Sequence, residues 1–353
     1  MKKLLCILLF TLLLLPSCYA ETGIDDVENA VPDEVRELTG DIDEVGDTDS
    51  FFGRLAETAK DAVLKNGKEI LKKAVCVLFV ALVCGVLRVF SDNGMPDYIS
   101  LCGCAAISLL CVSDADSYIS AAGEAINSIS VFSKTLLPAL CTLTAATGQV
   151  SSAAVRYAAS ALCMDLFISL AEKLVLPIIY VYLALSIAAS AFDNRVLESI
   201  AGLVKWLCKT AMTVFAAGFT LYIGLSSVIS ASGDAVAVKA AKTVISTTLP
   251  VIGSIVSDAA ASVVAGAELM KTTVGAFGMI AVLSICASPL IVLGLNYLCF
   301  KAASAMVSSL GTPQLTKLTG SLGTAFGMLV GLVGCCGLIV FISVISCMRA
   351  VVA

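Results

Sequence analysis

Histidine is absent from all 353 residues. Its absence excludes Ser-His-Asp and Cys-His nucleophile systems, imidazole metal sites and histidine-based pH switching together. Charge is scarce as well. Asp, Glu, Lys and Arg make up 14% of the chain, against about 25% in a soluble domain. There is no GxxxxGK[ST] phosphate loop, no G-x-S-x-G elbow, no zinc-ligand spacing and no basic patch suited to nucleic acid. Cysteine is plentiful, at fifteen residues, but no CxxC pair occurs. Cys6 and Cys18 lie at the front and the rest are scattered through apolar runs, so they read as reduced, small apolar residues. No residue is a candidate for catalysis, cofactor binding or metal ligation, and an enzyme is not expected.

What remains is strongly apolar: 59% hydrophobic residues and a mean hydropathy of +0.99. This composition predicts an all-α fold, a polytopic transmembrane helical bundle in a lipid bilayer. Residues 1–20 read as a signal peptide, with Lys2 and Lys3, an apolar run from Leu4 to Leu15 and a Cys18-Tyr19-Ala20 cleavage signal. Residues 21–50 carry twelve acids and one Arg, which predicts a disordered extracytoplasmic tail. In residues 51–73, Phe52, Leu55, Ala59, Ala62, Val63 and Ile70 recur at helical spacing among six Lys/Arg, the pattern of an amphipathic interfacial helix. The leader places that helix outside, whereas its lysines favour the inside. The three-part leader is the more specific signal.

The transmembrane domain is expected over residues 74–353, with seven or eight spans. Acids without bases at 113–123 suggest an external loop, and Glu172-Lys173 separates two spans. Arg195, Lys205 and Lys209 lie in a segment of mild cytoplasmic character, with the only tryptophan, Trp206, as an interfacial anchor. The chain also resembles itself. Residues 117–126 (SYISAAGEAI) and 227–236 (SVISASGDAV) share six of ten positions at an offset of 110, and a Leu-Pro step follows each. Pro138 and Pro250 lie 112 residues apart, as do Pro177 and Pro289. These spacings predict an internal duplication of about 110 residues, with two proline-broken Leu-Pro segments. Repeat 1 covers about residues 98–192, repeat 2 about 207–303, and a final span 322–347 follows. Chance matching in Ala/Ser-rich sequence is the competing explanation. Parallel repeats follow if the Leu-Pro segments cross the membrane, inverted ones if they re-enter.

Ionisable groups in apolar runs are costly and mark candidate sites. Asp165 and Asp258 stand out, with Glu172, Lys173 and Lys134 nearby in sequence. Pro138, Pro177, Pro250 and Pro289, with Gly253, are candidate path-lining or hinge residues, because a proline frees a backbone carbonyl. The competing reading makes each a packing kink or a loop. Gly323, Gly327, Gly331 and Gly334 recur at four- and three-residue spacing, a small-residue face for helix packing.

Several stretches together resemble the stage III sporulation protein AE family of endospore-forming bacteria. They are the leader, the Lys-rich helix, LLPALCTL through TGQVSSAA from Leu136, and KAAKTVISTTLPVIGSIVSDA from Lys239 to Ala259. Pro250, Gly253 and Ser257-Asp258-Ala259, followed by Lys271-Thr272-Thr273-Val274-Gly275, follow the family pattern. The resemblance covers about residues 51–350. It implies a multi-pass component of the mother-cell membrane facing the forespore, within a channel or secretion-like complex that supports late forespore gene expression. The implied partners are the other membrane proteins of that complex and, through it, a forespore membrane partner; a homo-oligomer stays open beside them. No catalytic residues carry over, and no cofactor is implied. A stand-alone secondary transporter, with its site near Pro138 and Pro250, and a structural scaffold are the alternatives.

Overall fold

The computed structural model describes residues 26–32, 48–90, 95–147, 150–214, 217–218, 221, 253–310 and 312–348. Residues 1–20, the second repeat copy at 227–236 and Pro250 lie outside them. All elements among the described residues are helical. They are α1 (Thr48–Val89), α2 (Met95–Ala146), α3 (Val150–Leu170), a π-turn (Ala171–Val175), α4 (Leu176–Ala191), α5 (195–214), α6 (Gly253–Ser308) and α7 (Pro313–Met348). Among the described residues, five helical stretches are long and apolar enough to cross a membrane: Lys60–Val89, Tyr98–Ala146, Ser160–Ala191, Thr272–Ser308 and Pro313–Met348.

The helices run further than the apolar periodicity suggests. The amphipathic stretch 51–73 and the first span are one helix, α1. Of its apolar stripe Ile70 is buried, whereas Val63 is exposed. Residues 113–123, expected as a loop, are helical within α2. Asp114 and Asp116 are compatible with turns, but the stretch has no Pro and its one Gly, Gly123, stands at its end, so helical geometry carries through. α2 therefore fuses two expected spans into 52 residues, about 78 Å of helix, which is more than twice the ~30 Å hydrocarbon core. Glu172-Lys173 likewise lies in the π-turn and not in a loop. Pro177, the second residue of α4, has no amide to give the Lys173 carbonyl, and the Leu176 N–H bonds back to the Ala171 carbonyl instead.

Two breaks coincide with capping chemistry. Asp193 adopts φ 46° after α4, and the Asn194 Oδ1 accepts from the amides of Val196 at 2.9 Å and Leu197 at 3.4 Å, capping α5. Before α7, the Thr312 carbonyl accepts from Thr316 at 3.0 Å, and Pro313 takes the first helical position, where its missing N–H costs nothing.

α6 and α7 form an antiparallel hairpin with the most extensive contact in the bundle. Gly275 lies against Met348, Gly337 against Cys286, Gly327 against Tyr297, Gly323 against Lys301 and Gly320 against Ser304. α2 runs parallel to α7, with Gly103 against Leu315 and Tyr118 against Phe326. α3 and α4 run antiparallel to α2, matching Asp165 to Lys134, Leu176 to Gly123 and Tyr180 to Asp116. Gly85 of α1 lies against the Leu310 backbone, and Lys317 of α7 meets Asp193. The end of α1, the α4–α5 turn and the α6–α7 turn thus gather at one end. Phe132, Phe167, Phe277, Ile126 and Leu140 are fully buried between the helices. Between lipid-solvated helices, burial brings little hydrophobic gain, so close packing and interhelical hydrogen bonds hold the assembly.

Within the acidic tail, residues 26–32 include a helical turn. Val27 and Val31 are 0% and 3% exposed and belong to the core. Asn29 through Pro32 adjoin Asn127, Ser128 and Val131 of α2.

Candidate functional site

One charged pair joins two of the residues that the sequence singles out. Lys134 Nζ of α2 lies 3.2 Å from Asp165 Oδ1 of α3, with the side chains 62% and 64% exposed. Pro138 follows Lys134 by one helical turn and is half-buried. Having no amide, it leaves the Lys134 carbonyl without its usual helical donor. Three features are therefore concentrated in one turn of α2: a proline, a backbone carbonyl deprived of its i+4 donor, and a lysine paired across to α3.

The other candidates lie elsewhere. Pro177 is exposed, twelve residues beyond Asp165, about 18 Å along the helix. Pro289 is half-buried in mid-α6. Gly278, which lies against Leu136, is eleven residues earlier, so Pro289 is about 16 Å along the axis from the Lys134 level. Its neighbour Ser288 faces a pocket of about 640 Å³ shared with Asp61, Lys65 and Asn66 of α1. Gly253 and Asp258 lie in the opening turns of α6. Of the glycine face, Gly323 and Gly327 contact α6, Gly331 meets Met212 of α5, and Gly334 has nothing within 4 Å of a would-be Cβ. Gly320 and Gly337 share the α6 seam, and a three- and four-residue count continued in both directions from Gly323 reaches them.

A second polar layer is not among the sequence candidates. The Tyr180 hydroxyl donates to Asp116 Oδ1 at 2.6 Å, tying α4 to α2. Lys73 pairs with Glu69 at 2.8 Å and sits 5.9 Å from the Tyr118 ring centroid. Tyr118 meets Phe326 edge-on at 5.5 Å, and Phe326 stacks on Phe300 at 5.4 Å. Contacts thus run from α1 through α2 and α7 to α6 at one level. Lys301, next to Phe300, donates to Thr324 Oγ1 at 3.2 Å and to the Gly320 carbonyl at 3.4 Å. Asp116 falls in the stretch read as a loop, which hid it. At the end of the bundle, Lys317 bridges Asp193 at 3.5 Å and Glu198 at 3.0 Å.

This arrangement supplies charge and backbone carbonyls inside apolar helices. Among the described residues it presents no nucleophile–base pair.

The family model described as stage III sporulation protein AE matches residues 33–350. The stage III sporulation protein AE of Bacillus subtilis (strain 168) is 28% identical over 261 residues, covering 72% of this chain and 64% of that protein. The chain thus matches just under two thirds of that relative's length. No solved structure matches. With the family model spanning nearly the whole helical bundle, the chain belongs to the stage III sporulation protein AE family.

Proposed function

We propose that the chain is a non-enzymatic, multi-pass component of a channel-like sporulation complex in the mother-cell membrane, facing the forespore. There it works with other membrane proteins of the complex and a forespore membrane partner to support late forespore gene expression. Family membership supports the sporulation setting, and five apolar helices support a multi-pass membrane protein. The observation that carries the channel reading is the Lys134–Asp165 pair, exposed on the outside of two such helices. A charged pair turned outward toward lipid is costly, and a neighbouring protein or a water-lined path removes that cost. A stand-alone transporter is the second reading, favoured by the undonated carbonyl that Pro138 leaves beside the pair.

The test replaces the pair by Lys134→Met together with Asp165→Leu in a sporulating host. A forespore-specific reporter is read alongside the amount of protein in the membrane. Loss of the reporter at undiminished abundance is expected. Full reporter activity would reject a path or partner contact at this pair and leave a scaffold. If function is lost, solute uptake by the purified chain in liposomes separates the two readings: uptake abolished by the double substitution favours the transporter, and no uptake the complex.

A further inference from the structure

The apolar stretches of α2 and of α3–α4 share a common middle. Leu176 stands midway along Ser160–Ala191, and Gly123, against which it lies, stands within a residue of midway along Tyr98–Ala146. Depth can be counted from that contact at about 1.5 Å per residue. Lys134 and Asp165 are each eleven residues from it, about 16 Å to one side, and Asp116 is seven residues to the other, about 10 Å. Asn127 stands four residues from Gly123 and Glu172 four from Leu176, so both lie about 6 Å from the middle. Asp116, Asn127 and Lys134 are eleven and seven residues apart, spacings that return to one face of α2. All five polar side chains are exposed. This polar track covers about 27 Å of depth, against a hydrocarbon core of ~30 Å.

Charge exposed to lipid at such depth is costly. A separate feature marks the same place. Residues 26–32 carry Asp26 and Glu28 and leave helical geometry at 30–32, yet Val27 and Val31 are buried in the bundle. Asn29 through Pro32 adjoin Asn127, Ser128 and Val131, and the pocket between them, about 330 Å³, is polar and roomy enough for several waters. Irregular backbone does not face lipid; at membrane depth it is tolerated only against protein or beside water. An exposed polar track and an irregular acidic segment thus call for water at one face and one depth. We propose that the Asp116–Lys134 face of α2, with the adjoining side of α3, borders a water-filled cleft across the membrane, and that residues 26–32 lie in it as a tethered plug. The cleft takes its role from the channel reading, on which this proposal rests.

The test introduces N127C, S128C, S169C and L338C singly into the full chain. Unsealed membrane fragments from sporulating cells are treated with a charged, membrane-impermeant methanethiosulfonate, which reaches both sides. Peptide mass spectrometry reads each introduced site, so the native cysteines stay in place. The Tyr118–Phe326 contact sets the register of α2 and α7, so Leu338, 60% exposed, stands level with Ser130 and is the control at equal depth. N127C and S169C, at exposed positions, should react roughly tenfold or more faster than L338C, because an apolar surrounding raises a thiol pKa by at least about a unit. S128C, half-buried beside the plug, should react slowly. V27D should then speed it by roughly tenfold, the shift that one lost buried valine gives a docking equilibrium. If V27D does not reach the membrane, V27S replaces it. Rates at N127C and S169C no greater than at L338C overturn the cleft, whether lipid or another protein covers the face. An S128C rate unchanged by a Val27 variant that reaches the membrane overturns the plug. Labelling reads water contact alone, so its failure leaves the channel reading to the reporter assay, and full reporter activity removes the cleft's role in sporulation but not its water.

Discussion

Lys301 of α6 reaches across the hairpin seam to Thr324 Oγ1, and Gly323, the residue before that threonine, lies against the Lys301 backbone. The glycine allows the close approach, and the lysine uses it to bond α7 to α6. In membrane helices this combination of a small residue and an interhelical hydrogen bond takes the role that hydrophobic burial has in water.

The seam predicts graded effects of side-chain insertion. A Cβ at Gly337 would stand 2.8 Å from Cys286 Sγ, and one at Gly327 would stand 3.0 Å from the Tyr297 ring. Gly327→Leu and Gly337→Leu should each destabilise by about 1–3 kcal/mol through overpacking. Gly334→Ala meets nothing and should be near neutral. Thermal unfolding in detergent, followed by loss of monodisperse protein, ranks the three. Equal midpoints would remove the seam as the basis of hairpin stability.

The Lys134–Asp165 pair predicts a charge-reversal pattern. Lys134→Asp alone places two carboxylates opposite each other, and Asp165→Lys alone two ammoniums. Each should lower membrane abundance, and the double swap should restore most of it. An exposed pair in water is worth about 0.2–1 kcal/mol; a coupling well above that range, from a double-mutant cycle on unfolding in detergent, would locate the pair away from bulk water. No rescue by the swap would mean that the two residues act separately.

The π-turn has its own test. Pro177→Ala supplies the amide missing for the Lys173 carbonyl, so the i→i+4 ladder can close. Hydrogen exchange across residues 171–178 should slow relative to the unaltered chain. Unchanged exchange would mean that packing against α2, and not the proline, holds the widened turn.

Val27 and Val31 predict that the tail is anchored. Removing a valine from a fully buried position costs about 1.5–3 kcal/mol, so Val27→Asp should release residues 26–32 from α2. Limited proteolysis from outside the detergent-solubilised bundle should then cut near them much faster. An unchanged cleavage rate would show that these residues do not hold the tail.

The helical class, the apolar spans and the glycine spacing were legible because they depend on composition and on periods of three and four. Lys134 and Asp165 were both visible as charges in apolar surroundings. Their pairing was not, since it depends on the antiparallel register of α2 and α3. The buried Val27 was hidden by twelve acids around it, which predict solvation on average and say nothing of two valines four residues apart. Asp116 was lost for a related reason. A run of acids was read as a loop, yet helices accept acids, and only the partner hydroxyl of Tyr180 shows what this one is for. The helix lengths were the least legible. When nearly every face of a helix is apolar, hydropathy shows where chain can enter a membrane but not where one rod ends and the next begins.

α6 comprises 56 residues, about 84 Å of rise, against a hydrocarbon core of ~30 Å. Even at a tilt of 40°, the steepest common for spanning helices, it stands about 64 Å tall. Roughly half its height therefore exceeds the hydrocarbon core, while about half its length, Gly275 to Ser304, is clamped to α7. The protruding end runs into the clamped end as one unbroken helix. Pro289, the one proline along its length, is the natural place for such a rod to bend.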